Sequence, residues 1–213
     1  MLLKSLQWIR DSLYIDRARS QMYPVLPRVF LTFDDGPSPD FSKEILECLR
    51  VKDVKANFFL TGRNIEKYPE VVRQMAEAGH CLGNHFYTHQ YLLFKSEAYL
   101  ETGIQKTDAL IRQSGYAGPI YFRPPHGVSA FRLPKIIKKM DKQVVFWNVD
   151  SRDYKILSVQ QLCENITTSL SPGDIILMHD GRRTDINLLA ALERCIDFAR
   201  DRGLEFGRLS DYL

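Results

Sequence analysis

The chain has 213 residues, 45% hydrophobic and 26% charged, with a formal net charge of +3. That length suits one large domain or two small ones with a substantial core; the composition is that of an ordinary soluble globular protein, and the charge is too small to argue for nucleic acid as a partner. No run approaches the ~20 apolar residues of a transmembrane span, and neither an internal repeat nor a low-complexity stretch is present.

The first 24 residues read as an amphipathic extension ahead of a single domain over 25–213. Leu2, Leu6, Ile9 and Leu13 fall at helical spacing, with Lys4, Arg10 and Arg17 largely elsewhere on the wheel. Charged residues interrupt the apolar run that a secretory signal needs. Such a helix either packs against the domain, the plainer reading, or makes contact with a membrane surface through residues 1–23. From residue 28 short apolar runs alternate with amphipathic segments. "RVFLTF" reads as a strand, "DFSKEILECLRV" as a helix, "VKANFFLTG" as a strand and "NIEKYPEVVRQMAEAG" as a helix stopped by Gly79. "HCLGNH" is a weaker strand and "SEAYLETGIQKTDALIRQSG" a long helix. "PIYFRP", "QVVFWNV" and "GDIILMH" are further strands, separated by a short helix at "RLPKIIKKM" and another opened by Ser158. A last helix, "DINLLAALERCIDFARDRG", precedes a final short strand in "LEFGRLSDYL". About seven β/α units predict a parallel sheet with helical crossovers, either a barrel slightly smaller than the eight-fold one or an open doubly wound sheet. Cys48, Cys81, Cys163 and Cys195 form no CxxC pair and read as small buried hydrophobes rather than a disulfide framework. With no signal segment in view, the expected compartment is reducing, the cytoplasm.

In parallel β/α folds the site lies at the C-terminal ends of the strands. Read to their ends, the predicted strands carry Asp34 and Asp35, then Asn84 and His85 with His89 four residues on, then Arg123, then Trp147 leading to Asp150 and Asp153, then His179 and Asp180. Adjacent aspartates commonly cap a helix, but the helix after "DDGPSP" starts some residues on, where Ser38 or Asp40 serves as well. Two histidines four apart reach one side of a turn. With one carboxylate and an open position they make a catalytic metal site of the zinc type. Neighbouring residues at a strand end point different ways, so one aspartate can coordinate while the other takes a proton from water. His179 is the candidate acid for the departing atom.

These residues resemble the NodB-homology polysaccharide deacetylases. "TFDDGP", "NHFYTH", "FRPPHG", "VDSRDY" and "LMH" are similar to that family's five motifs in order and spacing, over nearly all of residues 28–210. The resemblance implies a distorted (β/α) barrel of about seven parallel strands and removal of acetyl groups from N-acetylated sugars. It implies Asp34 as general base, and Asp35, His85 and His89 as ligands of one divalent ion, zinc first, with cobalt, nickel or manganese as alternatives. Arg123 would orient Asp34, His179 would be the acid tuned by Asp153, and Leu177 and Tyr154 would line the acetyl pocket. The backbone N–H of His126 would meet the oxyanion. A carbohydrate is then the expected partner.

Three positions depart from the family pattern: Phe86 where Ser or Thr is usual, His126 for an aromatic, and Tyr154 for Trp. Phe86, Tyr87, Tyr91, Phe94, Tyr121 and Trp147 are candidate sugar-stacking rings, Trp147 being placed in the substrate site, though packing is the simpler reading of any one of them. Arg182 and Arg183 are either a solvated pair or an anion contact. Rival functions are an O-deacetylase, a sugar-binding homologue without turnover, and a non-haem iron oxygenase using two His and a carboxylate.

Overall fold

The computed structural model describes residues 27–128, 131–181 and 187–213. The predicted N-terminal extension, Arg182 and Arg183 lie outside the described residues. The described elements run in chain order as β1 (Arg28–Asp34), α1 (Phe41–Val51), β2 (Asn57–Leu60), α2 (Gly62–Lys67), α3 (Pro69–Glu77), β3 (Cys81–Asn84) and α4 (Glu97–Gln113). Then come α5 (Leu133–Lys139), β4 (Val149–Asp150), α6 (Val159–Thr167), β5 (Ile175–His179), α7 (Leu188–Asp201) and β6 (Glu205–Phe206). The strands pair in parallel in the order β3-β2-β1-β5-β4, with β6 beside the start of β1.

The predicted strand "PIYFRP" is reduced to one bridge residue, Phe122, which pairs with Asn84, and "QVVFWNV" splits. Its start bridges Phe122 through Val144, while its end is β4, which pairs with β5. Phe122 thus links the β3 edge to the segment that ends in β4, and the parallel sheet is a distorted barrel that continuous strand pairing does not close. The cause is local: the buried guanidinium of Arg123 takes the carbonyls of Val145 (2.9 Å) and Phe146 (3.1 Å) that regular strand pairing would have used. The predicted helix over residues 64–79 is two, because Pro69 can begin a helix but not continue one.

Period-two alternation sorts the strands. On β1, Val29, Leu31 and Phe33 face outward into the main core with Ile45 and Leu49 of α1 and Leu192 and Ile196 of α7. Phe30 faces inward, with Phe59, Tyr121, Val145, Ile175 and Leu209 closing the bottom of the barrel. Thr32 and Asp34 continue that inner face upward. The barrel is thus apolar at its floor and polar at its mouth. Capping follows the local sequence: Ser158 opens α6 with a capping box to Gln161, and Ser96 opens α4. Ser38, not Asp40, accepts from the backbone of α1, at Ser42. The four cysteines are free thiols, three on helices and one in β3. Among the described residues no helix is long and apolar enough to cross a membrane.

Candidate active site

Strand register brings the polar residues together. Asp34 at the end of β1 stands opposite His179 at the end of β5, and Asn84, the last residue of β3, opposite Leu60. Asp34 points down the inner face: its Oδ1 accepts from Arg123 Nη1 at 2.7 Å, and Arg123 also donates to Thr32 Oγ1. Arg123 is wholly buried and lies 3.9 Å over the Phe59 ring. Burial pushes its pKa down and Asp34 pushes it back up; truncating either partner would strand a buried charge.

Asp35 turns the other way in a left-handed conformation (φ 75°). Its Oδ1 lies 3.4 Å from His85 Nε2 and 3.1 Å from His89 Nε2. One ligand atom from each of Asp35, His85 and His89 lies within 4.8 Å of the others. His85 Nδ1 donates to the Arg123 carbonyl at 2.8 Å, so in the neutral ring Nε2 is bare. A bare nitrogen facing a carboxylate is two acceptors in contact. Asp35 Oδ1 is buried and has no hydrogen-bond partner of sound geometry. Burial opposes ionisation of Asp35, but the interactions with His85 and then His89 outweigh it and hold the carboxyl below the usual range. Burial pushes His89 down to about 4, keeping it neutral. A buried carboxylate oxygen without a donor, facing the nitrogens of one buried and one exposed imidazole, fits a divalent cation, and the backbone carbonyl on His85 is the kind of outer partner such ligands have.

Opposite them, Asp153 is wholly buried and grips His179 twice, through its backbone N–H and through Nδ1, each at 2.7 Å. Burial works against a charged ring, yet the hydrogen bond and charge of Asp153 raise the His179 pKa to about 9. The Tyr154 ring meets His179 edge-on at 5.8 Å, half exposed, its hydroxyl on Asp150. Leu177 is buried two residues before His179 and on the same face. Trp147 packs over Gly127, and the Arg123 guanidinium lies 5.5 Å over its ring. His126 is exposed at φ 60°, its ring 4.2 Å from that of His89 and 4.1 Å from that of Tyr91. Asp34, Asp35, His85, His89, Arg123, Asp153 and His179 are thus joined at this end of the sheet, while Trp147 also packs against the floor cluster. Of the predicted sugar-stacking rings, Phe86 and Tyr121 are core residues, and the Tyr87 hydroxyl donates to Glu66.

Phe86 steadies the ligand loop by another route than a hydroxyl. Its N–H donates to Asn84 Oδ1 at 2.7 Å, and its ring is buried against Gly103 of α4 among Leu92, Leu100 and Ile104. Sequence reasoning passed over Thr32, Ser42 and Asn64. Asn64 Nδ2 holds the Asp35 carbonyl at 2.8 Å, and Ser42 Oγ donates to Asp180 Oδ2 at 2.6 Å. No short pattern marks these, since each meets its partner across the fold. Asp180 is wholly buried, its pKa pushed up to about 7 by burial, and its carboxyl lies against Gly36, where a Cβ would come within 2.3 Å. The glycine of "DDGP" is required by Asp180.

A family profile described as polysaccharide deacetylase matches residues 25–145. The chain belongs to the polysaccharide deacetylase family. It is 36% identical over 180 residues to a peptidoglycan-N-acetylglucosamine deacetylase of Bacillus cereus, covering 84% of this chain and 65% of that one. To a chitooligosaccharide deacetylase of Azorhizobium caulinodans it is 32% identical, covering 72% and 73%. The crystal structure of the Bc1960 peptidoglycan N-acetylglucosamine deacetylase superposes with a TM-score of 0.82 at 32% identity, over 88% of each chain. Family membership on a parallel β/α frame sets aside the oxygenase reading.

Proposed function

We propose that the protein is a metal-dependent hydrolase that removes acetyl groups from N-acetylated sugars, in N-acetylglucosamine-containing oligo- or polysaccharide, and releases acetate. The observation that carries this reading is the division of labour between adjacent carboxylates: Asp35 faces two imidazoles with an unpaired oxygen, and Asp34 is held apart by Arg123. The names of the relatives support the substrate class. Asp35, His85 and His89 would hold the ion, and two nitrogens with one oxygen suit zinc first, with cobalt, nickel or manganese able to replace it. When bound, the ion polarises the acetyl carbonyl and acidifies water.

The chain's own groups do the rest. Asp34 accepts the proton from the attacking water. Its Oδ2 lies 3.8 Å from His85 Nε2, on the ligand side, while Oδ1 stays on Arg123. The His126 backbone N–H donates to the oxygen that gains charge. His179, protonated at neutral pH and oriented by Asp153 at Nδ1, gives the proton on Nε2 to the leaving nitrogen. Leu177 and Tyr154 line the space for the acetyl methyl, and Trp147 borders the sugar.

The test is acetate release from N-acetylglucosamine oligomers, peptidoglycan and acetylated xylan, with and without chelator. Release from the amides, abolished by chelator and restored by zinc, is expected. Release from the ester alone would make the enzyme an O-deacetylase, and oligomer binding without release a sugar-binding homologue. Asp34→Asn keeps an oxygen for Arg123 and should lower kcat about 10²- to 10⁴-fold with metal content retained. His89→Ala should lose metal and activity together.

A further inference from the structure

Two sulfurs meet between outer helices, away from the site. Cys163 lies on α6 and Cys195 on α7, and the two helices pack against each other. Cys163 Sγ donates to the Ala191 carbonyl at 3.8 Å. Ala191 lies one helical turn before Cys195, and a helical side chain leans toward the N-terminus of its helix. The Cys195 sulfur therefore covers the turn that Cys163 touches. A thiol has one hydrogen to give. Cys163 gives its own to Ala191, so the hydrogen bond between the two cysteines runs from Cys195 to Cys163. Their exposures differ: Cys195 is 2% exposed in the main core, and Cys163 is half-buried at its margin. Burial, then the neighbouring sulfur, pushes the Cys195 thiol well above its usual range and keeps it protonated. The other cysteines keep different company. Cys48 sits among Glu193, Lys52 and Asp197, and Cys81 accepts from the Tyr116 hydroxyl at 3.5 Å.

We infer that Cys163 and Cys195 are a redox-active dithiol that a peroxide converts into a disulfide clasping α6 to α7. The Cys163 sulfur, the more accessible of the two, attacks one oxygen of hydrogen peroxide. The O–O bond breaks, Cys163 becomes a sulfenic acid and water leaves. The Cys195 sulfur then displaces the hydroxyl from Cys163. The S–S bond forms, and the Cys195 proton departs with that hydroxyl as a second water. Two thiols lose two hydrogens and two electrons, and one peroxide is reduced to two waters. The clasp closes the chain from α6 through β5 to α7. It lies behind the Asp153–His179 contact: Asn165 of α6 donates to the Ser151 carbonyl at 2.9 Å, two residues before Asp153, and α7 follows the strand that ends in His179.

The experiment treats the reduced native protein with hydrogen peroxide, alkylates the remaining thiols in denaturant and maps the peptides by mass spectrometry. The expected result is a cross-link between the Cys163 and Cys195 peptides, removed by dithiothreitol, with Cys48 and Cys81 alkylated. The oxidised protein should melt about 5–10 °C above the reduced one, since the cross-link restrains the unfolded chain. Cys163→Ser should abolish both the cross-link and the rise, and Cys48→Ala should leave both in place. A cross-link through Cys48 or Cys81 overturns the inference, as does sulfinic or sulfonic acid at Cys163 without a cross-link, or four unmodified thiols. A Cys163–Cys195 cross-link that fails to raise the melting temperature overturns the clasp, because the sulfurs would then meet only by distorting the helices. The peptide map is made on wild type and needs no variant to fold.

Discussion

At the scale of single residues, the site is built from side chains whose surroundings assign them opposite tasks. Asp34 and Asp35 are neighbours, yet one meets a guanidinium and the other two imidazoles. Backbone conformation makes this possible. Asp35, Phe86, His126 and Arg152 have φ of 75°, 65°, 60° and 58°, and each sits at or beside a residue of the site. Left-handed backbone at such side chains costs about 1–3 kcal/mol each and persists where packing over-determines it. His179 gives the pH prediction. A proton donor works while protonated, so with a pKa raised to about 9 it serves through neutral pH and fails as pH rises through that value. A bound cation works against the imidazolium, so the alkaline limb of kcat/KM lies at or below pH about 9. Asp153→Asn removes the charge that raises the pKa and should move that limb down by about one unit or more. A limb that stays in place in the variant would refute the assignment of His179 as the acid.

At the scale of elements, the ligand loop depends on a helix that carries no ligand. Gly103 of α4 leaves room for the Phe86 ring; a Cβ there would come within 2.3 Å of Phe86 Cζ. His85 precedes Phe86 and His89 follows it, so the ring anchors both. Gly103→Ala sets two effects against each other. Helix propensity favours alanine by about 1 kcal/mol, while overpacking a filled core costs about 1–3 kcal/mol. The overlap is with a buried ring that has nowhere to go, so packing should win. The expected outcome is a lower melting temperature together with weaker metal binding, read by thermal unfolding and metal titration. A raised melting temperature with intact metal affinity would show that propensity dominates.

Across the whole molecule, buried histidines set opposite pH limits on stability. His80 is 4% exposed, with Nδ1 accepting from the Ala56 N–H at 3.1 Å below β2 and its ring edge-on to Phe58. Burial pushes its pKa down to about 4. Above pH 6.5 both folded and unfolded states are neutral there; as pH falls from 6.5 toward 4 the unfolded chain gains a proton that the folded one refuses. Stability should fall by up to about 3 kcal/mol over that window and level off below it. In the metal-free protein His89 adds to the same fall. His179 runs the other way: its contribution is complete below 6.5 and is lost as pH rises through about 9. Asp180, its pKa raised to about 7, opposes the histidine slope between pH 4 and 7, so the test is urea unfolding of the metal-free wild type against His80→Gln at pH 4.5, 6.5 and 9, in which Asp180 is common to both. His80→Gln should remove part of the acidic slope and leave the alkaline one.

Much of this was legible in one dimension because short-range rules governed it. The β/α alternation, the cap at Ser158, and the gathering of Asp34, Asp35, His85, His89, Arg123, Asp153 and His179 at one end of a parallel sheet follow from hydrophobic period, capping chemistry and strand direction. What escaped depended on partners far along the chain. The bridge at Phe122 and the split of the segment after it arise because Arg123 takes carbonyls that strands would share. The solution Phe86 offers in place of a hydroxyl needs Gly103, and Gly36 is explained only by Asp180. By itself the sequence determined the class of fold, the end of the sheet that carries the site and the inventory of its chemistry, since these rest on periodicity and residue type. Only the tertiary structure decided how the barrel is interrupted, which rings are core and which are surface, and which carboxylate faces the imidazoles, because those follow from the filling of a shared volume by side chains distant in sequence.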